Sequence, residues 1–130
     1  MQRKNFIKAM GIGSLGVFIK PQYSDNMAKN MFVHHVYFWL KNPQSKEDKA
    51  KLVAGLEKLS KVKNIDMFHI GQPAGTNREV IDTSYSVSWL LIFKDKAAQD
   101  AYQVDPIHLK FVEECSSLWQ KVLVYDSIDV

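Results

Sequence analysis

Phe32-Val33-His34-His35-Val36-Tyr37-Phe38-Trp39-Leu40 is the stretch on which the fold turns. It is rich in β-branched and aromatic residues and is stopped by Asn42-Pro43, which predicts a strand. Side chains alternate along a strand, so His34, Val36, Phe38 and Leu40 share one face and His35, Tyr37 and Trp39 the other. Both faces are apolar. Such a strand needs a helix layer on one side and a second cover on the other, and in a chain of 130 residues that cover is expected to be another subunit.

Working outward, Ser45-Lys46-Glu47-Asp48 supplies an N-cap and early acids, and Leu52, Leu56 and Leu59 recur at helical spacing behind a lysine-rich outer face. Ile65, Met67, Phe68 and Ile70 predict a short strand over residues 64–70, closed by the turn residues Gly71-Gln72-Pro73-Ala74-Gly75. The strongest strand signal runs over residues 85–93, with Tyr85, Val87, Trp89, Leu91 and Phe93 on one face; it is predicted to be central. Asp95 caps a short helix that breaks near Asp105-Pro106, where a cap followed by proline opens further turns carrying Ile107, Phe111 and Cys115 at four-residue steps. A last strand is predicted over residues 119–126. The order β-α-β-β-α-β predicts an α+β, ferredoxin-like domain, a four-stranded antiparallel sheet with helices on one face.

Composition excludes several functions. The chain is 46% hydrophobic and 24% charged, as expected for a soluble domain with one core. Its net charge of +3 is concentrated near the N-terminus, where Arg3, Lys4, Lys8 and Lys20 face only Asp25, so the remainder is balanced. A balanced domain lacks the basic footprint that attracts phosphate backbones, and nucleic acid is not expected as a partner. The single Cys115 excludes an intramolecular disulfide and any multi-cysteine metal site. No metal is expected, because adjacent His34 and His35 project to opposite faces and no histidines or acids stand at zinc-ligand spacing on a helix. Nor is a cofactor expected: Gly11-Ile12-Gly13 has neither a preceding strand nor a third glycine at the dinucleotide-binding step.

Arg3-Lys4-Asn5-Phe6-Ile7-Lys8 precedes an apolar run from Ala9 to Ile19 that ends at Lys20-Pro21. Basic, apolar, polar is the layout of an export signal, and the run is too short to span a bilayer as a stable helix. The segment resembles a twin-arginine signal with Lys4 in place of the second arginine, which implies export to the periplasm. The alternatives are a cytoplasmic protein with a frayed amphipathic tail, or a start codon placed too early with Met31 as the true beginning. Residues 1–30 are accordingly read as an export-signal-like or disordered extension, and residues 31–130 as the domain.

Within that domain, His34 to Lys41, Asp82-Thr83-Ser84-Tyr85, Phe93-Lys94-Asp95, the Tyr102 to His108 segment with Pro106, Phe111-Val112-Glu113-Glu114 and Lys121 to Asp126 together resemble the stress-responsive dimeric α/β-barrel (Dabb) family. The most specific part is the Tyr102, Pro106, His108 and Phe111 spacing. The resemblance implies a homodimer whose two sheets close into a barrel. The family holds stress-induced proteins without a settled activity beside cofactor-free enzymes such as a plant polyketide cyclase that makes olivetolic acid. Carried over by motif, that cyclase's pocket implies Tyr102 and His108 as a catalytic pair and His34 on the first strand. Two positions depart from it: Val87 stands where the cyclase has a second histidine, and an apolar residue near Leu56 replaces a tyrosine. That argues against the same cyclisation.

A neutral imidazole accepts a proton near pH 7 and a tyrosine hydroxyl donates to a developing oxyanion, so His108 and Tyr102 together suit proton abstraction next to a carbonyl. A braced helix histidine and a packed core tyrosine would leave the same trace. The leading expectation is a homodimer that binds a small hydrophobic molecule in a pocket lined by His34, Val87, Trp89 and Phe111. The alternative is a cofactor-free cyclase- or isomerase-like enzyme using His108 and Tyr102.

Overall fold

The alternation in the opening strand is kept in the folded chain, where Phe32, His34, Val36, Phe38 and Leu40 are buried and the residues between them are half-buried. The computed structural model describes residues 26–130, so the export-signal reading of the N-terminal segment lies outside the described residues. The strand is β1, Phe32–Leu40, followed by α1, Lys46–Leu59; β2, Met67–Gly71; β3, Val87–Phe93; α2, Lys96–Gln103; α3, Pro106–Cys115; and β4, Trp119–Ile128. Neighbouring strands pair antiparallel in the order β2-β3-β1-β4. This is a ferredoxin-like fold whose second crossover is made of two helices.

Local chemistry sets the helix starts. Ser45 Oγ accepts from the Asp48 amide at 3.0 Å, Asp95 from the Ala98 amide at 2.9 Å and Asp105 from the Ile107 amide at 2.8 Å. At the third, Pro106 occupies the first turn, where its missing N–H is not needed. The helices bury Leu52, Leu56, Leu59, Tyr102 and Phe111 against Val36, Phe38, Leu40, Val87, Trp89, Leu91 and Phe93 of the sheet.

Strand limits differ from the predicted ones for specific reasons. Asn64 and Ile65 do not start β2, because the Asn64 side-chain Nδ2 donates to the Ala98 carbonyl at 2.9 Å and Ile65 N–H closes a turn onto Val62 at 3.3 Å. Tyr85 does not continue the buried face of β3. Its ring meets Tyr37 edge-on at 4.9 Å between centroids, which places it on the helix-free side of the sheet. At the end of the predicted turn, Gly75 has φ of 81°, a left-handed conformation that glycine adopts without strain.

Helix-free and helix-covered sides differ sharply. Val33, Tyr37, Trp39, Leu90, Ile92 and Leu123 form a half-buried apolar face that no helix among the described residues covers. The edge strand β4 also leaves Val122 and Val124 each 43% exposed, because the helices lie over β1 and β3. Among the described residues, no helix is long and apolar enough to cross a membrane.

Candidate functional site

His34, Tyr102 and His108, distant in sequence, meet beneath the helix-covered face. The bend at Asp105-Pro106 folds α3 back on the end of α2 and sets the His108 ring 4.8 Å from that of Tyr102. Tyr102 in turn lies 5.9 Å from His34 and 5.1 Å from Phe93. The indole N–H of Trp89 donates to the Tyr102 hydroxyl at 3.0 Å, which fixes the phenol oxygen and leaves its proton free to donate elsewhere. Burial pushes the Tyr102 phenol well above its ordinary value, an effect only partly offset by Trp89, so the hydroxyl stays protonated at any working pH.

His108 is half-buried, and among the described residues its buried Nδ1 has no hydrogen-bond partner. Buried polar atoms are satisfied in the great majority of cases, so an orphan on a ring packed against Tyr102 marks a place where a ligand can bond. Burial lowers the His108 pKa first of all, and hydrogen bonding of the ring to the Gln103 backbone opposes that shift. The ring is therefore neutral near pH 7 and able to accept a proton.

Asp126 was not among the residues singled out from the sequence. The β1–β4 register places it opposite His34, and its carboxylate receives His34 Nδ1 at 2.6 Å. A carboxylate accepts only, so this bond assigns the Nδ1 proton and directs Nε2 away from Asp126. Of the remaining predicted pocket residues, Trp89 joins the cluster through Tyr102, whereas Val87 stands opposite Phe38 in the sheet and Phe111 packs against Phe38 and Trp119. The structure thus unites His34, Tyr102, His108 and Trp89 and places Val87 and Phe111 in the packing around Phe38.

Trp39 and Trp89 cannot form one aromatic box, because they project to opposite faces of the sheet. Trp39 belongs to a concavity of about 320 Å³ on the helix-free side, lined also by Tyr37, Asp82, Tyr85, Leu123 and Tyr125. There the Trp39 indole donates to Ser84 Oγ at 3.0 Å, and the Lys121 ammonium lies 4.4 Å over the Trp39 ring. Among the described residues, no group of three His, Cys, Asp or Glu side chains could hold a metal ion.

The histidines also set a pH response. His35 is lowered by burial and then by His69 and His34, and His108 by burial. Because both fold with depressed values, the unfolded chain binds more protons near and below its ordinary histidine pKa of about 6.5. Their stabilising effect is fully present above that pH and is lost as pH falls through the folded values. Denaturation midpoints are expected to drop between pH 7.5 and 5.5, and His108→Asn and His35→Gln should each flatten the decline. A native midpoint that rises on acidification would contradict the assignment.

Three comparisons bear on the fold. The sequence profile of the family described as Stress responsive A/B Barrel Domain matches residues 32–129. Among solved structures, a Dabb family protein with a ferredoxin-like fold from Mesorhizobium loti is 24% identical, with a TM-score of 0.65 over 77% of this chain and 97% of that one. A dimeric ferredoxin-like protein of unknown function from Thermobifida fusca is 13% identical, with a TM-score of 0.64 over 80% and 97%. The hydroxynitrile lyase of Passiflora edulis is 17% identical, with a TM-score of 0.67 over 79% and 96%. No curated protein matches the chain in sequence.

Proposed function

The chain belongs to the stress responsive A/B barrel domain family, and from that premise we propose that it is an exported homodimer in which each subunit holds a small, largely apolar carbonyl compound at the His34–Tyr102–His108 cluster. The observation that carries the binding reading is the buried Nδ1 of His108, which has no hydrogen-bond partner among the described residues, in a ring 4.8 Å from that of Tyr102. A carbonyl oxygen suits the Tyr102 donor, and the apolar surroundings of Trp89 and Phe93 suit a hydrocarbon body. The homodimer reading is supported by the helix-free apolar face, and the Thermobifida fusca neighbour is described as dimeric.

Proton transfer at the same cluster is the second reading, and the His108 ring, kept neutral by burial and packed 4.8 Å from the Tyr102 ring, favours it. In this reading His108 Nδ1 removes a proton from the carbon next to the carbonyl, the bond electrons move to the carbonyl oxygen, and Tyr102 O–H stabilises the enolate. The proton then returns to carbon or passes to solvent. That a hydroxynitrile lyase shares the fold shows that such a scaffold carries an enzyme.

A panel of aromatic and cyclic ketones titrated in D₂O tests both readings. At least one ketone is expected to bind saturably, once per subunit, and to shift the His108 ring resonances. His108→Asn should weaken that binding tenfold or more without altering the far-ultraviolet circular dichroism. Deuterium entering the position next to the carbonyl, with loss of the exchange in His108→Asn, establishes the proton-transfer reading; saturable binding without exchange leaves the binding reading alone. If no ketone perturbs His108, both fall.

A further inference from the structure

We propose that the groove between α1 and α3 is a second binding site, for a single-chain carboxylate whose hydrocarbon tail lies in the groove and whose head meets a lysine rim. The cavity measures about 300 Å³, at the lower end of small-molecule sites, and its floor is formed by Gly55, Leu59, Ile107 and Phe111. Gly55 is what draws the two helices together: a Cβ there would lie 2.5 Å from Cys115 Sγ and 3.4 Å from the Phe111 ring.

Charge selects the occupant. Lys58, Lys61 and Lys110 border the groove together with one acid, Glu114. Glu114 already lies 4.0 Å from Lys58 and 3.5 Å from Lys110, exposed pairs that contribute little to stability. Three ammonium groups around one carboxylate leave the rim positive, over a floor that is almost wholly apolar. An apolar trough with a cationic margin is complementary to an anionic amphiphile and opposed to a cationic one. The small volume favours one alkyl chain over a peptide helix. Because the groove opens on the side of the helices away from the sheet, closure of the helix-free face by a second subunit leaves it accessible. It does not include His108.

Calorimetric titration of the whole protein with alkyl carboxylates of six to twelve carbons, each below its critical micelle concentration, tests the site against alkyltrimethylammonium ions of equal length. Affinity for the carboxylates should rise up to about fourfold per added methylene until the groove is filled. The cationic series should bind at least tenfold more weakly. Reversing the exposed rim with Lys58→Glu, Lys61→Glu and Lys110→Glu together should lower carboxylate affinity tenfold or more, and Ile107→Trp should block binding by filling the trough. His108→Asn should leave it unchanged, which separates this site from the cluster beneath the sheet. Equal affinity for both head groups, no effect of the rim reversal, or binding by an acidic amphipathic peptide without binding by the carboxylates would each overturn the proposal.

Discussion

A Leu90→Glu, Leu123→Glu variant is expected to elute as a folded monomer at micromolar concentrations at which the native chain, on the homodimer proposal, elutes as a dimer. Leu90 lies in β3 between His35 and His69, and Leu123 lies in β4 opposite Tyr37, so both belong to the helix-free face. Both are half-buried in the single subunit, which lets a glutamate reach water there at small cost. In a two-fold dimer the same face is used by both copies, so every substitution appears twice and the carboxylates meet across an apolar interface. Unpaired charges in such a setting cost several kcal/mol, far more than they do on a free surface. A rise in Kd of at least about a hundredfold, or about 2.8 kcal/mol, should follow. Light scattering coupled to size exclusion reads the mass, and circular dichroism confirms that the subunit is folded. A variant that stays dimeric with native affinity would move the interface away from the helix-free face.

Much of the fold was legible because its determinants are local. The two-sided apolar pattern of residues 32–40, the caps at Ser45, Asp95 and Asp105, and the proline after Asp105 act within a few residues, and each appears where the pattern placed it. Tyr85 failed because its face is set by a partner, Tyr37, that lies far away in the chain. The start of β2 failed for a related reason: the Asn64 side chain bonds to Ala98, a contact created only when α2 is in place.

The site divides along the same line. Tyr102 and His108 fall within one short motif, so their approach could be expected from the bend between them, whereas Asp126 becomes a neighbour of His34 only through the β1–β4 register. A shift of one residue in that register would turn the acid to the opposite face. An acid near the end of the last strand was the available signal, but it points to His34 only once strand order and register are known. The pairing of Trp89 with Tyr102 was hidden similarly, since an indole on a buried strand reads as core until its N–H is seen to have an acceptor.

Tyr102→Phe is expected to have two effects that can be measured apart. Tyr102 and Trp89 are each 1% exposed, and the phenol oxygen accepts the indole N–H at 3.0 Å. Removing the hydroxyl leaves the indole donor buried without an acceptor, which should destabilise the subunit by about 1–3 kcal/mol. Trp89→Phe also destabilises, by opening a cavity, but it keeps the phenol and its proton. The double variant should therefore cost less than the sum of the two singles, by about 1 kcal/mol, because the orphaned donor is absent from it. Below the unfolding transition, Tyr102→Phe should weaken ketone binding tenfold or more and, if exchange occurs, slow it by about a hundredfold through loss of the enolate donor. Trp89→Phe should retain most of both. If Tyr102→Phe preserves binding and exchange while it loses stability, the hydroxyl serves only to satisfy Trp89 and is not the ligand's donor. If Trp89→Phe is as damaging to function as Tyr102→Phe, the indole is positioning the phenol, and rescue by a Trp89→His substitution, which restores a ring N–H near the same oxygen, becomes the deciding measurement.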